Sequence, residues 1–363
     1  MKKIKILILI LSVTIFALVG LNTRGVTAQT QTPPQGETAG QHFKNIKVLN
    51  DMPADQLGKV MNLFSADLGV DCNFCHEGED FAKDGKRGKE DARKMIKMTN
   101  SINKDNFNNR PQVTCNSCHN GHEQPSNVPN LNAMAEPERP AQPTTKPTAD
   151  QIYDKYIAAL GGKDKLAKLT SLAIKATRLE KDGKTTEPEM IYFKGNKFAM
   201  DTTYTKATVS ERYDGTTVTK YGDAHSSIPL KADEAEQIKR TAELFSPVNL
   251  KTIYPKMDFR FLDRIDGKEV YIVIATTASN LRETLYFDVA SGLLVRRTSS
   301  AQTMYGRFVY QVDYADYKVV GGVKIPMTIK HSMPNISWTT KVLDAKVNAP
   351  VDDAKFAAPA GSN

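Results

Sequence analysis

The chain's four cysteines stand in two matching pentads, Cys72-Asn73-Phe74-Cys75-His76 and Cys115-Asn116-Ser117-Cys118-His119. Two thiols three residues apart can form thioethers with both vinyl groups of one porphyrin, and the histidine that follows then meets the iron from the proximal side. A pentad of this kind would arise by chance in about one in a thousand chains of such composition. Two of them point to covalent attachment of two c-type haems, with Cys72, Cys75, Cys115 and Cys118 as anchors and His76 and His119 as iron ligands. Two other chemistries use the same thiols: zinc held by CxxC pairs, or small disulfide loops in an oxidising compartment. Neither accounts for a histidine directly after each pair. Because every cysteine lies between 72 and 118, a disulfide framework spread over the chain is excluded.

The elements that must position these groups follow from periodicity. Asp51-Met52-Pro53 has the capping acid and early proline of a helix start, and Leu57, Val60, Met61, Phe64 and Leu68 then recur at helical spacing up to Gly69. Met61, in the middle of that stripe, is either a core residue or a thioether donor to haem iron. A second helix is predicted over Glu90 to Ile102, with Ala92, Met95, Ile96, Thr99 and Ile102 on one face, Met95 central and Met98 off to the side. This region of about 80 residues carries many charges and few large apolar side chains, and domains so small are marginal unless stapled, so attached porphyrins are expected to supply much of its core. His122 is read as a loop histidine, as a neighbour of a haem propionate or as an alternative axial ligand, and His42 as a surface residue. Lys83, Lys86, Arg87 and Lys89 form a basic loop, read as a solvated face or as a guide for an acidic partner.

The runs "KNIKVLNDMPADQLGKVM", "GVDCNFCH", "ARKMIKMTNSIN" and "VTCNSCHNGHEQP" resemble the photosynthetic reaction-centre cytochrome c subunit family over about residues 43–125. The resemblance implies haem units built from a helix with the axial methionine, a turn and CxxCH, which pairs Met61 with His76 and Met95 with His119. The chain departs from the four-haem members in having two units and no histidine between Met95 and Cys115, so direct service to a reaction centre does not follow. With His/Met ligation the ferrous state is favoured and both axial positions are filled, which describes an electron carrier rather than an enzyme. A haem enzyme such as a peroxidase would need one open iron position.

The rest of the sequence places this chemistry. Lys2, Lys3 and Lys5 precede an uncharged run from Ile6 to Leu21, and Val26-Thr27-Ala28 offers a cleavage site, so residues 1–28 read as a secretory signal, with an uncleaved membrane anchor as the alternative. The formal charge of +8 and pI near 9.1 first suggest nucleic acid. Half of that charge belongs to the signal, and what remains is net −2 over residues 29–140 and +6 over 141–363, with no basic cluster interleaved with aromatics. Nucleic acid is therefore not expected as a partner. Redox proteins are, as donor and acceptor. Residues 29–41 read as a flexible lead-in, 42–124 as the dihaem domain, and 125–149, with prolines at 125, 129, 137, 140, 143 and 147, as an extended, poorly packed linker.

After the linker, helices are predicted over Ala149 to Leu160 and Lys163 to Leu169, and from Ser171 the pattern turns to strands. Turn dipeptides at Asp182-Gly183, Gly195-Asn196, Asp214-Gly215, Asp266-Gly267, Ser291-Gly292 and Gly321-Gly322 separate runs of β-formers, and Ala232 to Leu244 reads as one more helix. The expected architecture is α+β in two domains: a small helical dihaem cytochrome followed by an antiparallel, curved half-barrel sheet with packed helices over 150–358, and a tail over 359–363. The phrases "IYDKYIAALGGKDKLAKLTSL", "YFDVASGLLVRR" and "VDYADYKVVGGVKIPMTI" resemble the LolA-like outer-membrane lipoprotein-sorting fold. That resemblance implies an apolar ligand in the concavity, and a lipid carrier is the third functional reading. The residues themselves show no catalytic triad, metal cluster or phosphate loop in this part, and a docking module is an equal expectation. His225 and His331 are assigned no role.

Overall fold

A computed structural model of the 363-residue chain describes residues 36–125, 128, 139–223, 226–228, 230, 232–244 and 247–358. The signal segment, most of the lead-in, most of residues 126–138, His225 and the tail lie outside the described residues. Those described fall in one compact unit, Thr32–Asn363.

The N-terminal region is helical: α1 (Ala39–His42), α2 (Leu57–Leu68), α3 (Cys72–Cys75), α4 (Arg87–Phe107) and α5 (Cys115–His119). A 3-10 turn over Ala54–Gln56 leads into α2, and Gly69 at φ 65° ends it in the left-handed conformation that glycine adopts without steric cost. The inward face of α2 carries Val60, Leu63, Phe64 and Ser65, with Met61 half-buried beside it. The helix α4 is longer than periodicity predicts, and its buried face carries Arg93, Ile96, Thr99 and Asn103. Met95, expected at the centre of that face, is 42% exposed. The reason is polar: Arg93 is held by Glu90 at 2.6 Å, Asp84 at 3.0 Å and the Asn45 carbonyl at 3.3 Å, and Asn103 exchanges two hydrogen bonds with the Val113 backbone at 2.7 and 3.0 Å. Satisfied polar groups take the inner positions and rotate the apolar stripe outward.

The second region opens with α6 (Ala149–Leu160) and α7 (Lys163–Ala167). Its strands are β1 (Ser171–Glu180), β2 (Thr186–Lys194), β3 (Lys197–Thr203), β4 (Thr208–Tyr213), β5 (Val218–Tyr221), β6 (Lys256–Ile265), β7 (Lys268–Thr276), β8 (Arg282–Asp288), β9 (Leu294–Thr303), β10 (Gly306–Ala315), β11 (Lys318–Val320), β12 (Val323–Ile325), β13 (Thr328–Met333) and β14 (Ile336–Val347). Between β5 and β6 run α8 (Ala232–Leu244) and α9 (Leu250–Ile253). All six predicted turn dipeptides fall in hairpins. The main sheet has twelve strands in the order β5-β4-β3-β2-β1-β14-β13-β10-β9-β8-β7-β6, so it is two antiparallel meanders joined through the C-terminal strands rather than one uninterrupted meander. Register shifts at Lys175/Ala176, Phe259/Phe261 and Tyr286/Phe287 bend it. The apolar core lies between the concave face and the helices, where Ile152, Tyr156, Ile238 and Leu250 meet Ile174, Ile191, Val273, Leu285 and Phe287. The stretch before α6 is not loose throughout. Gln142 bonds the backbone of Leu262 on edge strand β6 through both its amide atoms, at 2.8 and 2.9 Å, and Arg139 lies over Phe261. These contacts occupy an edge that would otherwise offer unpaired backbone groups.

Part of the concave face is polar. Glu283 and Arg297, both buried, are joined at 3.2 Å, Glu283 also accepts from Tyr254, and Arg297 reaches Gln237 of α8 at 3.2 Å. Alongside runs a ladder across four strands: Arg178 lies over Trp338, Trp338 stacks on His331 at 4.7 Å and 7°, and the Tyr310 hydroxyl bonds His331 Nδ1 at 2.8 Å. Burial, with Arg297 and Arg178 nearby, pushes His331 down to about 3.

Two predictions follow from this interior. Arg297→Met, which leaves Glu283 with only the more distant Arg240 at 3.7 Å as its cation, should lower unfolding free energy in urea by about 1.5–3 kcal/mol. For His331, the folded protein stays neutral at pH values where the unfolded chain binds a proton, so its contribution is complete above about 6.5 and is lost as pH falls towards about 3. His331→Gln should flatten the fall in urea midpoint across that window, and parallel curves for the two proteins would contradict the assignment.

Candidate haem-binding region

Each pentad forms its own short helix. Asp71 caps α3 by accepting the Phe74 N–H at 3.2 Å, and Ser117 Oγ accepts the Thr114 N–H at 3.0 Å at the start of α5. One helical turn brings both thiols of a pair to the same side. All four cysteines are free, with Cys72 and Cys118 exposed and Cys75 and Cys115 half-buried. Burial raises the Cys75 thiol, and burial with Asp67 nearby raises Cys115 to about 11, so neither has the lowered pKa of a reactive dithiol. Among the described residues no group of three or more His, Cys, Asp or Glu is placed to hold a metal ion.

Both histidines are oriented by one device. His76 Nδ1 lies 3.2 Å from the Phe81 carbonyl, and His119 Nδ1 lies 3.0 Å from the His122 carbonyl. A carbonyl can only accept, so Nδ1 carries the proton in each ring and Nε2 keeps a lone pair free for a metal. Burial, followed by the charge of Lys89, lowers the pKa of His76 and keeps that ring neutral. His122 therefore contributes its backbone, and its side chain is exposed.

The two units cross. The second pentad helix α5 packs on α2, while the first, α3, packs on α4. Gly121 N–H donates to the Asp67 carbonyl at 2.8 Å, and a Cβ on Gly69 would stand 2.0 Å from the Gly121 oxygen. On the other side, a Cβ on Gly88 would stand 2.9 Å from the Phe74 ring. Glycine lets the backbones approach in both places.

The residues present fit a porphyrin. Phe74, Phe81, Met95 and Met98 are exposed large apolar side chains of the helical region, a surface that a bound macrocycle would cover. The region's buried cluster is small, formed by Ala39, Leu49, Met52, Val60, Phe64 and Ile96, with Tyr305 added from the sheet. Met61 packs against this cluster and Met95 does not, so the two methionines expected as ligands occupy unlike surroundings. Met98 is as open as Met95. The basic loop is largely neutralised, since Lys83 pairs with Glu77, Arg87 with Asp91 and Lys89 with Asp84, which favours the solvated-face reading. His42 pairs with Glu37 at 2.7 Å.

The sequence model of the "Photosynthetic reaction centre cytochrome C subunit" family matches residues 18–169. The N-terminal part of the chain resembles that family. It is 34% identical over 113 residues to the photosynthetic reaction center cytochrome c subunit of Roseobacter denitrificans, covering 27% of this chain and 30% of that protein. It is 32% identical over 118 residues to cytochrome c-554 of Chloroflexus aurantiacus, covering 29% of this chain and 28% of that protein. The match thus spans under a third of each relative's length. The sheet resembles a DUF1329 family protein from Desulfovibrio piger (12% identity, 57% of this chain and 96% of that one, TM-score 0.42). It also resembles the LolA superfamily protein NE2245 from Nitrosomonas europaea (12%, 58% and 98%, TM-score 0.38), and at these scores the likeness is one of outline. Among the described residues no helix is long and apolar enough to cross a membrane.

Tyr305, Asn100 and Asn103 were not singled out by spacing, because a hairpin residue and two polar helix residues carry no motif. The Gly69–Gly121 contact tests the crossed packing. Gly69→Ala should cost about 1–2 kcal/mol for its positive φ and a further 1–3 kcal/mol for the clash, whereas Gly78→Ala, with φ 56° and nothing within 4 Å, should show the first cost alone. Equal shifts in thermal midpoint for the two variants would contradict the contact.

Proposed function

We propose that the chain is an exported dihaem c-type cytochrome that passes single electrons, with the sheet as a docking or ligand-binding module. The observation that supports this most strongly is the repeated arrangement of two thiols on one turn beside a histidine whose Nδ1 proton is fixed by a carbonyl. In this reading Cys72 and Cys75 hold one haem and Cys115 and Cys118 the other, with His76 and His119 as proximal ligands. Bound haem supplies reversible one-electron chemistry at iron. The protein's own part is to hold the histidines as neutral Nδ1–H tautomers and to surround the macrocycles with apolar side chains.

Met61 is the proposed distal ligand to the first unit, coming from the helix that ends one turn before α3. For the second unit the proposal is Met95, and its exposure is what an axial ligand looks like before the macrocycle covers it. Met98 has comparable exposure and is the second reading. The sheet's role as an apolar carrier has less support, since one part of its concave face is occupied by Arg178, Glu283, Arg297, His331 and Trp338. Polar groups of that kind suit a protein partner or an amphipathic ligand. Export rests on the N-terminal sequence.

An optical redox titration of the purified protein should count two haems. The ferric spectrum should carry the red Met-to-iron charge-transfer band, about halved by Met61→Ala and by Met95→Ala and unchanged in Met98→Ala. A band lost in Met98→Ala and kept in Met95→Ala would transfer the second site to Met98. Immediate binding of carbon monoxide by the untreated reduced protein would favour a haem enzyme instead.

A further inference from the structure

We infer that Tyr305, at the tip of the β9–β10 hairpin, is a positioning residue for the second CxxCH unit, so that the sheet forms part of that haem's surroundings. The inference rests on the two-haem reading above. Tyr305 belongs to the sheet by sequence and to the helical core by packing. It is 6% exposed and joins the cluster formed by Met52, Val60, Phe64 and Ile96. Its ring meets Phe64 of α2 edge-on at 5.3 Å and 81°, and its hydroxyl accepts a hydrogen bond from Asn100 Nδ2 of α4 at 3.1 Å. One side chain thus sets the spacing of the two helices that carry Met61 and Met95.

The same tip touches the second pentad. A Cβ on Gly306, at φ 130°, would stand 3.3 Å from Cγ2 of Thr114, the residue that caps α5. Cys115 packs against the cluster that holds Tyr305. The first pentad is remote from this contact: α3 lies against Gly88, twelve residues before Asn100 and so about 18 Å along α4. An effect of Tyr305 should therefore fall more on the second haem than on the first, which it reaches only through α2.

The tip is held by its own hairpin. Tyr305 N–H donates to Thr303 Oγ1 at 3.2 Å, Thr303 Oγ1 donates to the Gly306 carbonyl at 2.8 Å, and Gln302 Nε2 donates to the Thr303 carbonyl at 3.0 Å. Thr303 is itself buried. A side chain fixed from behind acts as a wedge rather than as a filler that follows its surroundings. Axial ligation and haem potential respond to how well the supporting residues hold the ligands, which is where such a wedge acts.

The test is an optical redox titration of the full-length holoprotein, with near-infrared spectra, for wild type, Tyr305→Phe and Tyr305→Ala. Tyr305→Ala should shift one of the two waves by about tenfold in oxidised-to-reduced ratio at fixed potential, equivalent to about 59 mV for one electron, and move the other clearly less. Tyr305→Phe, which keeps the ring and loses the Asn100 bond, should shift the same wave by less. Should Tyr305→Ala not fold, Tyr305→Leu takes its place, since it keeps apolar bulk without the wedge. Two unmoved waves in the folded variants would overturn the inference, and so would equal movement of both waves, which marks general loosening. Fewer than two haems in the wild type would instead overturn the reading beneath it, before any variant is compared.

Discussion

The backbones of Gly69 and Gly121 come so close that no side chain fits between them, and this contact fixes where the two pentads stand relative to each other. It joins the end of α2 to the turn after α5, so two stretches about fifty residues apart in sequence share one point. Once α5 lies on α2, α4 must cross to the other side, where Gly88 receives the α3 turn. Each CxxCH turn then leans on the long helix of the other unit. This reciprocity means that neither unit's scaffold is complete without its counterpart, and a change at one glycine bears on both.

Apolar burial alone would not hold such an arrangement, because the helical cluster is small. Polar groups with fully assigned partners do much of the remaining work. Asp84 receives Lys47, Lys89 and Arg93 at 2.6, 3.1 and 3.0 Å, tying the segment before α2, the loop after α3 and the start of α4 to one carboxylate. These hydrogen bonds hold its pKa well below the usual carboxylate range. Asn103 does similar work for the segment leading into α5 by bonding Val113 twice. Such contacts specify position more than they add stability, since exposed pairs contribute little and gain meaning from their geometry.

Much of this was legible in the sequence where local chemistry decides structure. The pentads, the glycine that ends α2, the six hairpin dipeptides and the helix over Ala149–Leu160 depend on residues within a few positions of one another. The rotation of α4 was not legible: Met95 and Ile96 look equally suited to the inside until Arg93 and Asn103 find their partners, and those partners lie at Asp84 and Val113. The insertion of β13 and β14 between the two meanders was hidden for the same reason. Strand pairing such as Leu172 with Val347 is decided over the length of the domain, and periodicity reports only which face a residue takes. Tyr305 is the extreme case. It sits in a hairpin tip, where an aromatic residue normally signals nothing.

That placement changes how the connection between the regions is understood. A proline-rich stretch suggests two domains on a tether, each free to turn. Yet Gln142 and Arg139 hold the C-terminal part of that stretch on β6, while Tyr305 and Gly306 hold the helical region from the β9–β10 hairpin of the same meander. Two attachments at separate points of a sheet remove the rotations that a single tether leaves free. A helical region held in this way keeps one orientation relative to the sheet. On the proposed electron-transfer reading, a partner recognised by the sheet would meet the helical region in a set geometry, which saves the orientational search that slows encounter between proteins.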